Sequence, residues 1–205
     1  MGKLRTLGII IGLLAILAGC GDDDDDEVFL VDILSDPGAD GDIGLTLEGT
    51  YQVSQASSTG NLLFGIDPDG TEFRAFVDFP LGAVPLEAEI LVADVEVYVN
   101  DVEYGFGFSA VPTLLEMVSF PITGLTPDDF DSAPIASRAP FDFFRSDINS
   151  YVLIEVTSLM REAQVQGLSD LQLRFLLDFV PGAAGFVELD DESESRAPLL
   201  TVEYR

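Results

Sequence analysis

The stretch from Arg74 to Val99, RAFVDFPLGAVPLEAEILVADVEVYV, limits the fold more than any other part of the chain. It holds two runs, Phe76, Val77 and Phe79 in the first and Ile90, Val92, Val95, Val97 and Val99 in the second, joined by a Pro/Gly link. Runs rich in β-branched and aromatic residues and bounded by glycine and proline suit a pleated sheet. The pattern recurs. Strands are expected at Thr50–Val53, Asn61–Ile66, Glu72–Phe79, Ala88–Val99, Val102–Ser109 and Leu114–Phe120, then at Tyr151–Val156, Asp170–Asp178, Gly185–Leu189 and Leu199–Tyr204.

Turn signals separate them: Asp67-Pro-Asp-Gly70, Asn100-Asp101 and Pro181-Gly182. Asn100-Asp101 reads as a hairpin turn, returning into a strand with Val102, Tyr104, Phe106 and Phe108 on one side. Only Thr157 to Gln166 reads as a helix, with Thr157 or Ser158 as N-cap and Gly167 as its stop. Many short strands with one short helix predict an all-β fold, an antiparallel two-sheet β-sandwich of jelly-roll type. Gly124 to Asn149 fits the strand pattern worst. A loop of that length is often functional, but its Phe141, Phe143 and Phe144 are expected to plug one open end of the sandwich.

The amino end has a different character. An apolar run from Leu7 to Leu17 follows Lys3 and Arg5; it is short for a bilayer span and has the layout of a secretion signal. Leu17, Ala18, Gly19 and Cys20 together resemble a bacterial lipobox. That resemblance implies cleavage before Cys20, lipid on its thiol, and a lipid-anchored, extracytoplasmic protein. Gly21 in the next position points to the outer membrane if the host is Gram-negative. The acyl chains would make a stable membrane anchor. Asp22 to Asp26, with Glu27, self-repel and extend as a tether. The chain thus divides into a signal peptide at 1–19, a lipidated cysteine and acidic tether at 20–44, and a β-sandwich domain at 45–205. Val28 to Leu34 is apolar enough to add an edge strand. Asp36, Asp40 and Asp42, with glycines at 38, 41 and 44, hint at a calcium loop. Their spacing departs from the EF-hand pattern, and an Asp/Gly turn is the expectation.

Charge and composition exclude several functions. Nine basic residues stand against 37 acidic ones, for a net charge of −28. Such a chain repels polyanions, so nucleic acid is not an expected partner. Lys3 is the only lysine, and abundant carboxylates without lysine suggest adaptation to high salt, where screening relieves the repulsion. With no histidine and a single cysteine, a Ser-His-Asp or Cys-His dyad, an intramolecular disulfide and the usual zinc sites are all impossible. No cofactor or metal is expected. A carboxylate-pair enzyme needs neither residue, but its candidates, Asp128/Asp129 and Asp190/Asp191, are sequence neighbours that would point to opposite faces of a strand.

Three segments carry a family resemblance. Val84-Pro85, Ala88, Ile90, Ala93, Val95 and Val97-Tyr98-Val99, preceded by Arg74, Val77 and Phe79, are similar to the signature of the DNRLRE domain, which is related to carbohydrate-binding module family 96. Val156-Thr157-Ser158-Leu159 resembles that family's entry into a short helix, and Ser195, Arg196, Ala197-Pro198, Leu200, Val202 and Tyr204 its closing strand. The resemblance spans residues from about 50 to 205. It implies a jelly-roll module of secreted bacterial proteins, some of which bind alginate-like chains. This chain lacks the tryptophan usual in the family's central section. Its basic residues beyond the leader are only Arg74, Arg138, Arg145, Arg161, Arg174, Arg196 and Arg205. Arg196 is expected to pair with Asp190, Asp191, Glu192 or Glu194.

The expected function is a non-catalytic module on the cell envelope for glycan binding or adhesion, with polysaccharide or another envelope protein as partner. The alternative is a structural lipoprotein acting through protein contacts. A glycan site needs exposed aromatic faces, and Tyr51, Tyr98, Tyr104 and Tyr151 are candidates by residue type, although most fall within strand-core patterns.

Overall fold

Strands account for most of the computed structural model, which describes residues 27–55, 60–105, 107–178, 185–191 and 195–205. The lipobox and Cys20, Asp22–Asp26, Phe106, Pro181-Gly182, Glu192 and Glu194 lie outside the described residues. In chain order the elements are β1 (Phe29–Leu34), β2 (Gly41–Leu45), β3 (Tyr51–Gln55), β4 (Asn61–Ile66), β5 (Glu72–Pro80), β6 (Ile90–Tyr104) and β7 (Val111–Met117). Then come β8 (Ala136–Ser137), β9 (Phe141–Phe143), β10 (Ser150–Glu155), α1 (Thr157–Val165), β11 (Asp170–Leu177), β12 (Gly185–Asp190) and β13 (Leu199–Tyr204). The hydrogen-bonded path runs β1-β13-β6-β12-β4-β5-β11-β7-β8, with β10 on β6, β2 on β5, β3 on β2 and β9 on β7. These pairings are antiparallel. Ile33 at one end of the path and Leu115 near the other join the same core cluster, with α1 adding Leu159 and Met160. The fold is therefore all-β, of the sandwich class, with one α-helix among the described residues. Among the described residues no helix is long and apolar enough to cross a membrane.

The hairpin expected at Asn100-Asp101 does not form. β6 runs through it as one strand of 15 residues. Leu189 of β12 pairs with Val99, but the neighbouring Glu188 pairs with Asp101, which leaves Asn100 as a bulge. One extra residue moves the inward face from Val95, Val97 and Val99 to Val102. The Asn100 amide donates to Asn61 Oδ1 at 2.9 Å, and Asp101 Oδ1 accepts from the Val102 N–H at 2.8 Å. The short polar side chains that suggest a turn thus shape a bulge.

The folded domain also begins earlier than residue 45. β1 pairs along β13 from Phe29↔Tyr204 to Leu34↔Leu199, as the apolar run Val28–Leu34 allows. β2 lies between β3 and β5, so the Asp/Gly segment expected to belong to the tether is inside the sheet. Asp36 does form the expected turn, its Oδ1 accepting from the Gly38 N–H at 2.8 Å.

Alternation on β5 sorts its side chains between two clusters. Ala75, Val77 and Phe79 enter the main core, while Phe76 joins Ile43, Val118, Phe120, Leu125 and Phe130 on the other face. The second cluster is where the first part of Gly124–Asn149 lies down on the sheet. Of the three phenylalanines expected to plug an end, Phe143 is buried against Phe64, ring centroids 5.6 Å apart, while Phe144 is exposed. Burying an aromatic ring of this kind contributes on the order of 2–3 kcal/mol. The helix stops at Gly167, φ +65°, as expected. Its cap differs: Val156 holds the N-cap position, and the Thr157 hydroxyl instead accepts from the Ala93 N–H at 2.9 Å, tying α1 to β6.

Candidate functional site

A negatively charged ligand would need arginines that the fold leaves free. Arg174 is buried; it pairs with Glu116 and donates to the carbonyls of Asp129, Phe130 and Ser132. Arg74 pairs with Glu72 and Asp131, donates to the Phe130 carbonyl, and lies over the Phe130 ring at 3.8 Å. Together they clamp the 127–132 turn onto the sheet. Arg138 donates to the Glu155 and Ala139 carbonyls, and Arg161 to those of Ile90 and Leu91. Arg196 pairs with Asp190 at 3.4 Å and Arg205 with Glu89 at 2.9 Å. These six side chains serve the fold.

Arg145 is different. It is exposed, forms no ion pair among the described residues, and makes one hydrogen bond, to the Tyr104 carbonyl at 3.2 Å. Its guanidinium lies 4.2 Å from the centroid of the Tyr104 ring. The remaining donors border an open cleft of about 250 Å³, lined among others by Glu103, Tyr104, Phe186 and Pro68. The cleft forms where the C-terminal end of β6 meets the start of β12, and Glu103 and Phe186 are cross-strand partners there. Tyr104 packs inward on the core. Glu103 is exposed. Asp67, also on the rim, is committed to its turn, its Oδ1 accepting from the N–H groups of Asp69 and Thr71, each at 2.9 Å. Aromatic edges, one unpaired guanidinium and one exposed carboxylate in a shallow cleft can hold a planar or ring-shaped polar molecule. A second cleft, about 230 Å³ between α1 and residues 81–86, is aliphatic. Its one amide, Gln164, is spent on the Pro85 and Ala88 carbonyls.

The other tyrosines expected as candidates are on the surface, not in the core. Tyr98 and Tyr151 meet edge to face at 5.0 Å, with Arg196 over Tyr98 at 4.4 Å. The Tyr151 hydroxyl donates to the Ser195 carbonyl at 2.7 Å. Tyr51 stands edge-on to Phe130. The candidate acid pairs are separated by role. Asp129 accepts from the Thr126 N–H at 2.7 Å as a capping group. Asp190 holds Arg196, and both Asp190 and Asp191 are buried.

The far end of β12 from the cleft carries a polar group inside the fold. Inward alternation continues from Ile33 to Ser35 and from Leu189 to Asp191, and both polar residues are buried, as is Asp40. Asp40 Oδ1 accepts from the Asp78 N–H at 2.7 Å. Burial pushes the Asp40 carboxyl up to about 8; the Ser35 hydroxyl opposes the rise, and the charge of Asp191 adds to it. Burial, then Asp190, raises Asp191 to about 6. Asp42 is raised by burial to about 7, opposed by the Leu63 N–H and the Ser54 hydroxyl. Nothing in the sequence marks these as interior acids, because their burial depends on strands distant in the chain.

No family model and no curated protein matches this chain. The residues that carry the resemblance to the DNRLRE domain, Ile90, Ala93, Val95 and Val97 among them, are core residues in the structure.

Proposed function

We propose that this chain is a cell-envelope lipoprotein, anchored through Cys20, whose jelly-roll module, similar to the DNRLRE domain, binds glycan without catalysis. The observation that carries this reading is the cleft of Tyr104, Phe186, Arg145 and Glu103. A sugar ring would lie against the aromatic edges, with its hydroxyls accepting from Arg145 and donating to Glu103. A net charge of −28 and six arginines committed to the fold favour a neutral glycan over an anionic one. Affinity electrophoresis through gels containing neutral or acidic polysaccharides tests it. Retardation in a neutral gel, lost in Arg145→Ala and Tyr104→Ala while the fold stays intact, is expected. Equal mobility in every gel would overturn it.

A second reading has its own observation. Among the described residues β1 pairs on one side only, and Phe29, Leu30 and Leu34 on it are exposed. An apolar edge strand favours protein contact. A partner recovered from envelope extract by the wild type, lost in Leu30→Glu and kept in Arg145→Ala, would favour this reading.

A further inference from the structure

We propose that Asp40, Asp191 and Ser35 bind one hard divalent cation, calcium by preference, at the end of the sandwich near the close of β1, the start of β2 and the end of β12. Three oxygens there, Asp40 Oδ2, Asp191 Oδ1 and Ser35 Oγ, are buried and none has a partner in good hydrogen-bond geometry, although the Ser35 hydroxyl is near enough to Asp40 to favour its charged form. Buried polar atoms are otherwise almost always paired, and two of these belong to carboxylates that repel each other. The Asp78 N–H holds the other oxygen of Asp40, which fixes the direction of Oδ2. The nearest arginine by sequence, Arg196, is taken by Asp190.

The donor set is all oxygen, which suits a hard cation and excludes one that prefers nitrogen or sulfur. Among the described residues no three His, Cys, Asp or Glu side chains converge as a metal-binding group. This site is smaller, two carboxylates and a hydroxyl, with carbonyls or water completing the shell. Calcium accepts such an irregular shell, whereas magnesium requires a near-octahedral one and keeps its water. So low a ligand charge places the affinity in the weak range, roughly 10⁻⁴–10⁻³ M. The site is remote from the cleft and independent of the glycan reading.

The test uses the full chain in detergent, stripped with chelator at pH 7.5 and melted in 0 to 10 mM CaCl₂ or MgCl₂ at constant ionic strength. Calcium is expected to raise the midpoint saturably by about 3–10 °C, and magnesium by less. Asp40→Asn and Asp191→Asn should abolish the rise, while Asn at Asp22–Asp26 should leave it unchanged. No rise with calcium, a rise that survives Asp40→Asn, or one that depends on the Asp22–Asp26 run would each overturn the proposal. Equal shifts with both ions would overturn the preference for calcium. If the Asn variants do not fold, equilibrium dialysis decides: one calcium per wild-type chain, bound more weakly by Ser35→Ala, supports the site, and unchanged binding by that variant refutes it.

Discussion

Replacing Asp42 by Asn should stabilise the protein at neutral pH and leave it unchanged in acid. Asp42 is buried, and its carboxyl is raised by that burial to about 7 from an ordinary value of 3.8. No charged neighbour contributes, so the group reports desolvation opposed only by the hydrogen bonds from Leu63 and Ser54. Below the unfolded value both states are protonated and Asp42 costs nothing. As pH rises from about 4 towards 7 the unfolded chain ionises while the folded one keeps its proton, so stability falls by about 1.4 kcal/mol per pH unit. Above the folded value the loss is complete, on the order of 4 kcal/mol. Asn cannot ionise. It still accepts from the Leu63 N–H, which reaches Asp42 Oδ2 at 3.4 Å. Urea unfolding of both proteins from pH 4 to 8, followed by circular dichroism, measures the difference. The gap should open in favour of Asp42→Asn with rising pH and level off above about 7. A gap independent of pH, or one favouring the wild type at pH 8, would refute the reasoning.

Three further outcomes are expected. Glu116→Gln leaves Arg174 buried without its counter-charge and should cost about 3–5 kcal/mol in chemical denaturation; a loss under ~1 kcal/mol would mean that the carbonyls of the 127–132 turn suffice. Gly65 has φ +105°, and a Cβ there would stand 2.2 Å from the Gly185 carbonyl oxygen. Gly65→Ala should therefore lower the melting temperature through a backbone cost of about 1–3 kcal/mol and a strained β4–β12 pairing; an unchanged melting temperature counts against that geometry. Denaturation midpoints should rise as NaCl goes from low to molar concentrations, because screening relieves the net charge of −28; midpoints that fall with salt would sink the high-salt reading.

What the sequence determines by itself is local. Period-two alternation in Leu171, Leu173 and Phe175 or in Leu200 and Val202 makes strands whatever their neighbours, and those residues are buried. Gly167 ends α1 because its positive φ is a property of the residue. Tertiary structure decides where a local signal has two solutions. Asn100-Asp101 suits a turn or a bulge, and the outcome rests on β12 and on Asn61, 39 residues away. Asp40 and Asp42 read as solvated turn acids and end inside, because β5 and Asp191 close over Asp40, and β3 and β4 over Asp42. The cleft joins Glu103 and Tyr104 to Arg145 and Phe186, which no spacing rule connects. Local pattern sets which residues prefer to be extended and apolar, whereas long-range pairing sets which polar groups meet one another and lose their water.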